Sequence, residues 1–388
     1  GHQPFVSDDG QIAVVQNGEI FNYVELAADL RRQGVVLKTA SDTEVILHLL
    51  SRSQKRRIVE RFIESLRQIE GAYALVALTP KKLIGARDPL GIRPLILGEL
   101  NGAPILCSET VALDIIGAEF VREVEPGEVV QCTRENGEIK IESLRPFPVQ
   151  NVRPCVFEYI YFARPDSVME GTSVYEARKA IGRELARESG VPADVVVPVP
   201  DSGVPAAIGY AAEARLPFEL GIIRNHYVGR TFIEPTDQIR HLGVKLKHSA
   251  NRALLEGKRV ILVDDSIVRG TTSRKIVEMV RAAGATEVHM RISSPPTTHS
   301  CFYGIDTPER EKLLAARNDV AAMARIIGVD SLAFISIDGL YRAVGGVARD
   351  PRRPQFCDAC FTGDYPIPLT DRDDQSNDRQ LSLLAESR

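Results

Sequence analysis

The sequence predicts an α/β protein of two domains, the second built on a parallel β-sheet with helices on both faces. Residues 195–199 and 259–263 are continuous apolar runs, and a helical segment follows each of them. Strands buried on both faces have this pattern, because helices cover each side of a parallel sheet. The 388-residue length allows two or three domains. We place a domain boundary at residue 148, where Pro146 and Pro148 interrupt the pattern.

The predicted first domain, residues 1–148, mixes short strands with helices. An Asn136-Gly137 pair between two apolar runs indicates a hairpin turn. The string Ser41-Asp42-Thr43-Glu44 has the composition of a helix start, so we expect a helix to continue through residues 45–50. A helix is also expected over residues 23–33. The predicted strands are residues 12–16, 72–79, 83–86, 94–97, 129–133 and 138–142.

The predicted second domain, residues 149–350, alternates strands and helices, and residues 351–388 form a C-terminal extension. Apolar positions at helical spacing predict helices over residues 174–185, 204–214 and 271–283. Residues 288–292 add a further strand to the two that define the sheet. The tail from Asp371 onward is polar and charged, so we expect part of it to be disordered.

Composition and charge exclude several classes of protein. The formal net charge of −4 argues against a general nucleic-acid binder. No apolar run approaches the ~20 residues of a membrane span. Six cysteines in a chain of this length do not indicate a disulfide scaffold. A cytoplasmic protein with free or metal-bound thiols is therefore expected.

Two adjacent carboxylates, Asp264 and Asp265, follow one of the buried strands. In an open parallel sheet, ligands bind at the carboxyl ends of the strands, so this pair lies where a ligand would be. Residues 266–271 then open a helix, whose N-terminal N–H groups and partial positive charge suit a phosphate. Gly270 permits a tight turn there. The alternative is a buried strand that ends in a helix cap with two surface aspartates.

The whole string at residues 260–273, Val-Ile-Leu-Val-Asp-Asp-Ser-Ile-Val-Arg-Gly-Thr-Thr-Ser, resembles a known ligand-binding motif. It is similar to the motif with which type I phosphoribosyltransferases bind 5-phosphoribosyl-1-pyrophosphate (PRPP). The carboxylates would hold the ribose hydroxyls and Mg²⁺, and the hydroxyls and amides would hold the 5′-phosphate. The substrate-binding residues implied by this resemblance are Asp264, Asp265, Ser266, Val268, Arg269, Gly270 and Thr271.

A second strand end carries the string Pro200-Asp201-Ser202-Gly203 ahead of a helix. Taken alone it is a common turn, but it lies one strand–helix unit before the PRPP motif. It resembles the pyrophosphate loop of the same family, which implies substrate binding by Asp201, Ser202 and Gly203. The resemblance also implies that Ser202, Asp264 and Asp265 contact Mg²⁺.

Between these two strings lies a long polar stretch, residues 224–247, without a clear period. Long loops in compact domains are often lids. The stretch resembles the flexible catalytic loop that closes over PRPP, and Arg230 and Lys247 would then neutralise pyrophosphate. The alternative is a solvated basic loop.

Three strings in the first domain resemble class II glutaminases, which use an N-terminal nucleophile. The resemblance implies an αββα domain in which the Asn17 side chain and the Gly18 amide form an oxyanion hole. It also implies that Asp42 holds the amino group of glutamine. Taken singly, an Asn-Gly pair is a turn and an aspartate at a helix start is a cap. The strings are residues 16–23 (Gln-Asn-Gly-Glu-Ile-Phe-Asn-Tyr), 41–44 (Ser-Asp-Thr-Glu) and 86–95 (Ala-Arg-Asp-Pro-Leu-Gly-Ile-Arg-Pro-Leu).

Glutaminases of this class use an amino-terminal cysteine whose own α-amine assists the thiol. Residue 1 of this sequence is Gly. We therefore expect a partial glutaminase domain that lacks the nucleophile and the arginine segment for the glutamine carboxylate. A chain of this sequence is expected to use ammonia and not to hydrolyse glutamine.

Glutaminase strings followed by a phosphoribosyltransferase resemble one family, the amidophosphoribosyltransferases, over about residues 3–368. The resemblance implies transfer of the amide nitrogen of glutamine, or of ammonia, to PRPP. The products would be 5-phosphoribosylamine and pyrophosphate, in the first step of de novo purine biosynthesis. Purine nucleotides as feedback inhibitors and a homo-oligomer, a tetramer in the family, are implied as well. The alternatives are another phosphoribosyltransferase, a non-catalytic PRPP-sensing regulator and an inactive truncated remnant.

One subgroup of that family carries an iron–sulfur (4Fe-4S) cluster, and its four cysteines match Cys155, Cys301, Cys357 and Cys360. Cysteine thiolates are the usual ligands of such clusters. In the sequence only Cys357 and Cys360 have a ligand-like spacing. A structural zinc ion is the alternative, because tetrahedral sulfur sites suit both metals.

Overall fold

The structure is a computed structural model that describes residues 2–225, 248–367 and 369. The largest sheet of the first domain has six strands, and every neighbouring pair is antiparallel. In spatial order the strands are β1 (Phe5–Val6), β2 (Ala13–Ile20), β3 (Gly71–Leu78), β4 (Lys82–Arg87), β8 (Val129–Glu135) and β9 (Glu138–Leu144). The predicted hairpin is confirmed: β8 and β9 pair antiparallel around Asn136 and Gly137, whose φ angles of 51° and 89° suit a two-residue turn.

A helical layer covers one face of this sheet and a smaller sheet lies against the other. The helices Tyr23–Arg32, Asp42–Arg52 and Ile58–Leu66 belong to the first layer, and Leu50 and Phe62 pack with Leu75 of β3. The smaller sheet has the order β6 (Ala103–Cys107), β5 (Ile96–Leu100) and β7 (Glu119–Glu123). The short helix Thr110–Ile116 packs on it. The layers agree with the αββα expectation.

The second helix begins at Asp42, three residues earlier than the apolar pattern indicates. The Glu44 carboxylate does not close a capping box on Ser41. Instead it accepts hydrogen bonds from the backbone N–H groups of Lys38 and Thr39, each at 2.6 Å. A helix was expected directly after residues 41–44, but the helix already includes Asp42, Thr43 and Glu44, and the Glu44 carboxylate holds the preceding loop rather than the cap.

The second domain contains a four-stranded parallel sheet in the order β12 (Val195–Pro198), β15 (Arg259–Asp264), β16 (Glu287–Ile292) and β17 (Ser331–Phe334). One face packs on the helices Val174–Ser189, Val204–Ala214 and Ile337–Gly345. The other face packs on Thr271–Ala282 and Val320–Ile327. The prediction of a parallel sheet with helices on both faces is confirmed.

The remaining elements connect these layers. Two small antiparallel pairs are β10 (Val168–Met169) with β11 (Thr172–Ser173) and β13 (Ile222–Arg224) with β14 (His248–Ala250). The short helices are the π-helix Glu158–Phe162, the 3-10 helix Arg310–Lys312, and the α-helical turns Arg252–Leu255, Leu314–Arg317 and Ala359–Thr362. In the part of the chain that the structure describes, no helix is both long and apolar enough to span a membrane.

One hydrophobic core joins residues of both predicted domains. Leu90 and Ile92 of the first domain pack in the same buried cluster as Val156 and Tyr303 of the second. The rings of Phe21 and Tyr303 are 5.3 Å apart. The boundary at residue 148 therefore stays a prediction about the chain, and the two parts share a packed interface.

The helices Val174–Ser189 and Val204–Ala214 approach closely at Gly182. A Cβ atom on Gly182 would lie 1.9 Å from the Ala206 carbonyl oxygen, which belongs to the backbone and has no freedom to turn away. We expect Gly182→Ala to lower the free energy of unfolding by about 2–3 kcal/mol, because the two helices must separate. Denaturant unfolding measures the change. Gly190→Ala is the control, since its nearest atom would be 3.3 Å away. Equal stability of the two variants would contradict the packing argument.

Candidate functional site

The two predicted ligand loops meet at one edge of the parallel sheet. Strand β12 pairs with β15 so that Pro198 lies opposite Val263, and Val199 N–H donates to the Val263 carbonyl at 2.8 Å. The Pro200–Asp201 peptide bond is cis. A Cβ atom on Gly203 would stand 2.3 Å from the Val263 carbonyl oxygen. Only glycine allows this approach, which brings the loop Asp201–Gly203 beside Asp264.

The carboxylate pair at the end of β15 is buried, with Asp264 and Asp265 each 7 % exposed. Asp265 N–H donates to Asp264 Oδ1 at 2.9 Å, and the Ser266 hydroxyl donates to Asp265 Oδ2. Burial, followed by the neighbouring charge of Asp265, raises the pKa of Asp264 well above its ordinary value. Two adjacent buried acids of this kind attract a cation or hydroxyl donors.

The segment after the carboxylates, residues 266–271, is anchored to the core on one side and exposed to solvent on the other. Ile267 is buried in the core, and the Val268 carbonyl accepts a hydrogen bond from Leu314 N–H at 2.8 Å. Gly270 is the N-cap residue of the helix Thr271–Ala282 and has a φ of 75°. Because glycine has no side chain, no side-chain cap covers the first N–H groups of this helix. Arg269 and Thr271 are exposed. The helix N-terminus is thus available to an anion at the same sheet edge as the carboxylates.

Of the predicted lid, residues 224–247, only Arg224 and Asn225 lie among the described residues, so the lid stays a prediction. Arg224, at the end of β13, forms an ion pair with Asp201 of the neighbouring loop. Arg230 and Lys247 lie outside the described residues, so their predicted contact with pyrophosphate stays a prediction.

A second site lies in the first domain, where Asn17 and Gly18 occupy the middle of β2. The sequence reading ended this strand at Gln16, but it continues to Ile20 because β3 pairs along its whole length. A Cβ atom on Gly18, whose φ is 145°, would lie 2.0 Å from the Ala72 carbonyl oxygen. The Asn-Gly pair is therefore strand and not a turn.

Asp42, the first residue of a helix, bonds to residues on both sides of Asn17 and Gly18. Its Oδ2 atom accepts from Gln16 Nε2 at 2.9 Å and from Ile20 N–H at 3.1 Å. Three residues predicted to bind or activate glutamine, namely Asn17, Gly18 and Asp42, thus lie together. Their roles toward glutamine remain predictions.

Two side chains that the sequence reading missed hold the Asn17 amide. Arg93 Nη2 donates to Asn17 Oδ1 at 3.1 Å, and Asn17 Nδ2 donates to Ser108 Oγ at 3.2 Å. A signal for Arg93 was present, because it is the second arginine of the string at residues 86–95. Ser108 had no signal that the sequence alone could supply.

The loop that presents Arg93 is built around Asp88, which is fully buried. Its carboxylate accepts hydrogen bonds from the backbone N–H groups of Leu90, Ile92 and Arg93 at 3.0–3.1 Å. Arg87 Nε donates to the Arg93 carbonyl at 2.9 Å. Much of the string at residues 86–95 is therefore scaffold that fixes the backbone of Arg93.

Glu19 follows the Asn-Gly pair and lies among other acids. Burial, then the charges of Asp42 and Asp306, raises the pKa of Glu19 to about 7. The backbone N–H of Gly304 donates to the carboxylate and opposes this shift. Glu19 therefore marks the contact between strand β2 and residues 301–306 of the second domain.

This arrangement predicts a pH-dependent stability. In the unfolded chain Glu19 ionises near pH ~4.3, whereas in the folded chain its pKa is about 7. The folded state therefore loses stability as pH rises between these values, and the loss is complete above pH ~7. We expect Glu19→Gln to raise the free energy of unfolding by about 2 kcal/mol at pH 8, after allowance for partial exposure, and by little at pH ~5. Thermal unfolding at both pH values measures this.

The exposed Glu99 on β5 provides the control. Glu99→Gln is expected to leave stability unchanged within about 0.5 kcal/mol at either pH. A Glu19→Gln variant that gains nothing at pH ~8 would show that the carboxylate is not held in an acidic, buried setting.

The four predicted cluster cysteines line one cavity, together with Val268 of the ligand loop and the Thr297 side chain. Cys155 and Cys357 form a backbone bridge, and Cys357 N–H donates to the Pro154 carbonyl at 2.9 Å. Burial raises the pKa of Cys155 to about 12 and raises the pKa values of the other three thiols. All six cysteines are free of disulfides.

No group of three or more Cys, His, Asp or Glu side chains in the described part of the chain is arranged to hold a single metal ion. The four cysteine side chains nevertheless line the same cavity.

Comparison with known proteins assigns both halves of the chain. A family model described as a glutamine amidotransferase domain matches residues 1–114, and one described as a phosphoribosyl transferase domain matches residues 173–293. The amidophosphoribosyltransferase of Rhizobium etli is 60 % identical over 380 residues, which are 97 % of this chain and 77 % of that protein. The chloroplastic amidophosphoribosyltransferase 2 of Arabidopsis thaliana is 50 % identical over 95 % of this chain, which spans 65 % of its length.

A solved structure agrees with these relatives. The glutamine PRPP amidotransferase of Bacillus subtilis, complexed with ADP and GMP, superposes with a TM-score of 0.87 at 47 % sequence identity. The match covers 95 % of this chain and 81 % of that one.

Proposed function

Because this chain belongs to the amidophosphoribosyltransferase family, we propose that it replaces the pyrophosphate of PRPP with ammonia nitrogen, giving 5-phosphoribosylamine in the first step of de novo purine biosynthesis. The observation that carries the proposal is the meeting of two loops, Asp201–Gly203 and Asp264–Thr271, at one edge of the parallel sheet. A strand-end site of this kind is where open α/β sheets bind ligands.

Each part of this edge has a role in the proposed reaction. Asp264 and Asp265 would orient the ribose hydroxyls, and the N-terminus of the helix Thr271–Ala282 would bind the 5′-phosphate. The loop at Ser202 would hold the leaving pyrophosphate. Little acid–base chemistry is needed, because ammonia is itself the nucleophile and positioning provides most of the acceleration.

Magnesium fits the same residues, since it prefers oxygen ligands and often shares them with substrate phosphates. Asp264, Asp265 and Ser202 would hold it. When bound, it would supply positive charge that offsets the charge of pyrophosphate. The buried carboxylate pair, with its raised pKa at Asp264, is the feature of the chain that supports this assignment.

An assay of pyrophosphate release tests the proposal. The chain is incubated with PRPP, Mg²⁺ and either ammonia or glutamine. Turnover with ammonia or with glutamine supports the proposal. Tight PRPP binding without turnover would instead indicate a PRPP-sensing regulator. A chain that neither folds nor binds PRPP would indicate an inactive remnant.

We also propose that Cys155, Cys301, Cys357 and Cys360 hold a 4Fe-4S cluster. Supporting this, the four thiols share one cavity, and the buried Thr297 hydroxyl beside them has no hydrogen-bond partner among the described residues. When bound, a cluster would tie the segments around residues 155, 301 and 357 together.

Anaerobic reconstitution with iron and sulfide tests the cluster. Four irons and four sulfides per chain, with absorbance at about 400 nm, are the expected result. A colourless protein that binds one zinc ion would overturn it.

Regulation, assembly and location form the last part of the proposal. The Bacillus subtilis relative was solved with ADP and GMP, so purine nucleotides are proposed as inhibitors here. A homo-oligomer, with a tetramer as the family expectation, is supported by exposed apolar side chains at Ile115, Ile116 and Phe120. Free thiols support a cytoplasmic location. Assays of pyrophosphate release with GMP and ADP added test the inhibition. Light scattering tests the oligomeric state.

A further inference from the structure

The hairpin formed by β10 and β11 of the second domain has its tip against the first domain. Its two turn residues, Glu170 and Gly171, have φ angles of 48° and 71°, which suit a tight two-residue turn. The backbone N–H of Glu170 donates to Oε1 of Glu123, the last residue of β7, at 2.6 Å. The tip of the hairpin is therefore bonded across the contact between the domains.

The base of the hairpin is held by the first domain as well. The backbone N–H of Val168 donates to Thr110 Oγ1 at 2.9 Å. The hydroxyl of Ser167, one residue earlier, donates to Glu109 Oε2 at 2.7 Å. The first domain thus contacts both ends of the strand β10, through neutral groups at the base and through charged groups at the tip.

Two carboxylates and one guanidinium meet at the tip. Arg87 of β4 is buried, and its Nη2 lies 2.6 Å from Glu170 Oε1 while its Nη1 lies 3.8 Å from Glu123 Oε2. The same guanidinium donates to three backbone carbonyls of the first domain, which fix its position. One positive charge in a set place therefore faces two acids.

Two further groups lie close to Glu123. The π-helix presents Tyr159, an uncharged phenol whose hydroxyl donates to the hairpin carbonyl of Met169 at 3.1 Å. On β7 itself, the Nη2 atom of Arg122 is engaged at 2.7 Å with Oε1 of the buried Glu128. Neither group offsets the second negative charge at the tip.

The two acids are therefore expected to share one proton. Burial, followed by the charge of Glu170, raises the pKa of Glu123 to about 7, against the opposing effect of Arg87. A protonated carboxyl group can donate to its neighbour instead of repelling it. Once the hairpin is released, the same group ionises near pH ~4.3. The contact therefore weakens as pH rises from about 4.3 to about 7 and changes little above that range.

We propose that the hairpin β10–β11 is a proton-dependent clasp between the two domains, closed while Glu123 and Glu170 share one proton and loosened when both carboxylates are ionised. Two adjacent ionised acids repel each other, and a single fixed guanidinium does not compensate both. The neutral bonds of Ser167 and Val168 have no such dependence on pH, so the loosening is local to the tip. The clasp does not depend on the proposed reaction or on any metal.

Hydrogen exchange of the full chain, followed by mass spectrometry at pH ~5 and ~8, tests the clasp. Each rate is divided by the intrinsic rate at that pH, so that the ratio reports the local opening equilibrium. Protection of the tip of the hairpin, in peptides spanning residues 165–175, is expected to be at least about tenfold lower at the higher pH. This figure allows for the partial exposure of both acids. The hairpin at Asn136-Gly137 has no part in the carboxylate pair and serves as the internal reference.

The substitutions Glu123→Gln and Glu170→Gln each leave one titratable acid at the tip. Both amides keep an oxygen that accepts a hydrogen bond, so either variant is expected to protect the hairpin equally at the two pH values. The matched control is Asp166→Asn. Asp166 lies just before the hairpin but is exposed and paired with Arg164, so its variant should keep the full response to pH.

Three results would overturn the inference. In the first, the unsubstituted chain protects the hairpin equally at both pH values. In the second, the reference hairpin loses as much protection as the clasp, which would indicate a change in global stability. In the third, both glutamine variants respond to pH as strongly as the unsubstituted chain, which would mean that other groups cause the response.

Discussion

Replacement of Asp264 by asparagine is expected to lower kcat/KM for PRPP by about 10²–10³-fold, because one preorganised group that would hold the ribose hydroxyls and Mg²⁺ is lost. The same variant is expected to unfold at a higher temperature than the unsubstituted chain. In the folded state burial and Asp265 disfavour ionisation of Asp264, and asparagine removes that conflict. Pyrophosphate release with ammonia as substrate measures the first effect, and calorimetry the second.

The sign of the stability change depends on pH. Asp264 ionises near pH ~3.9 in the unfolded chain and well above that when folded, so the native state loses stability as pH rises from about 4. The gain in Tm for Asp264→Asn is therefore small at pH ~4 and large at pH ~8. Asp114→Asn, on the exposed side of the helix Thr110–Ile116, should change neither activity nor Tm. If the Asp264→Asn variant releases pyrophosphate from PRPP at the unsubstituted rate, the carboxylate pair takes no part in the reaction.

Gly304→Ala is expected to lower the free energy of unfolding by about 3–4 kcal/mol. Gly304 has a φ of 98°, and a Cβ atom there would lie 2.8 Å from the Gly18 Cα atom. Backbone strain at positive φ contributes about 1–3 kcal/mol, and the clash between two backbones contributes a similar amount. Denaturant unfolding measures the total, and hydrogen exchange shows whether the loss of stability centres on strand β2.

The variant Gly346→Ala separates the cost of backbone strain from the cost of the steric clash. Gly346 has a φ of 78° but open space around a Cβ atom, so only the backbone strain is present. Its expected cost is about 1 kcal/mol. If the two alanine variants are equally stable, the contact between Gly18 and Gly304 does not hold the domains together.

Much of the fold follows from periodic patterns in the sequence. The helix Val204–Ala214 has the bounds that the sequence predicts, and the hairpin at Asn136-Gly137 forms as expected. Local rules succeed in these cases because side-chain burial and turn chemistry are decided by neighbours in sequence. The π-helix Glu158–Phe162 was not predicted, because its shape depends on Arg178, which donates to the carbonyls of Tyr159 and Ala163.

In the candidate site too, the residues that follow a local sequence pattern were predicted, and those that meet only through tertiary packing were not. Motif residues such as Asp264 and Gly203 were found because they follow strands, and the structure brings them to one sheet edge. Arg93 and Asn17, by contrast, are separated by 76 positions in the chain and meet only through tertiary packing. No local pattern encodes that contact.

The contact between Gly18 and Gly304 also sets a time scale for synthesis. The two glycines are 286 positions apart (304 − 18), so strand β2 emerges from the ribosome long before the segment that contacts it. At about 5–20 residues per second, a ribosome needs roughly 14–57 s to make the intervening chain. During that interval the face of β2 that will meet residue 304 is exposed. A nascent chain of this sequence should therefore depend on chaperones more strongly when its translation is slowed between these two glycines.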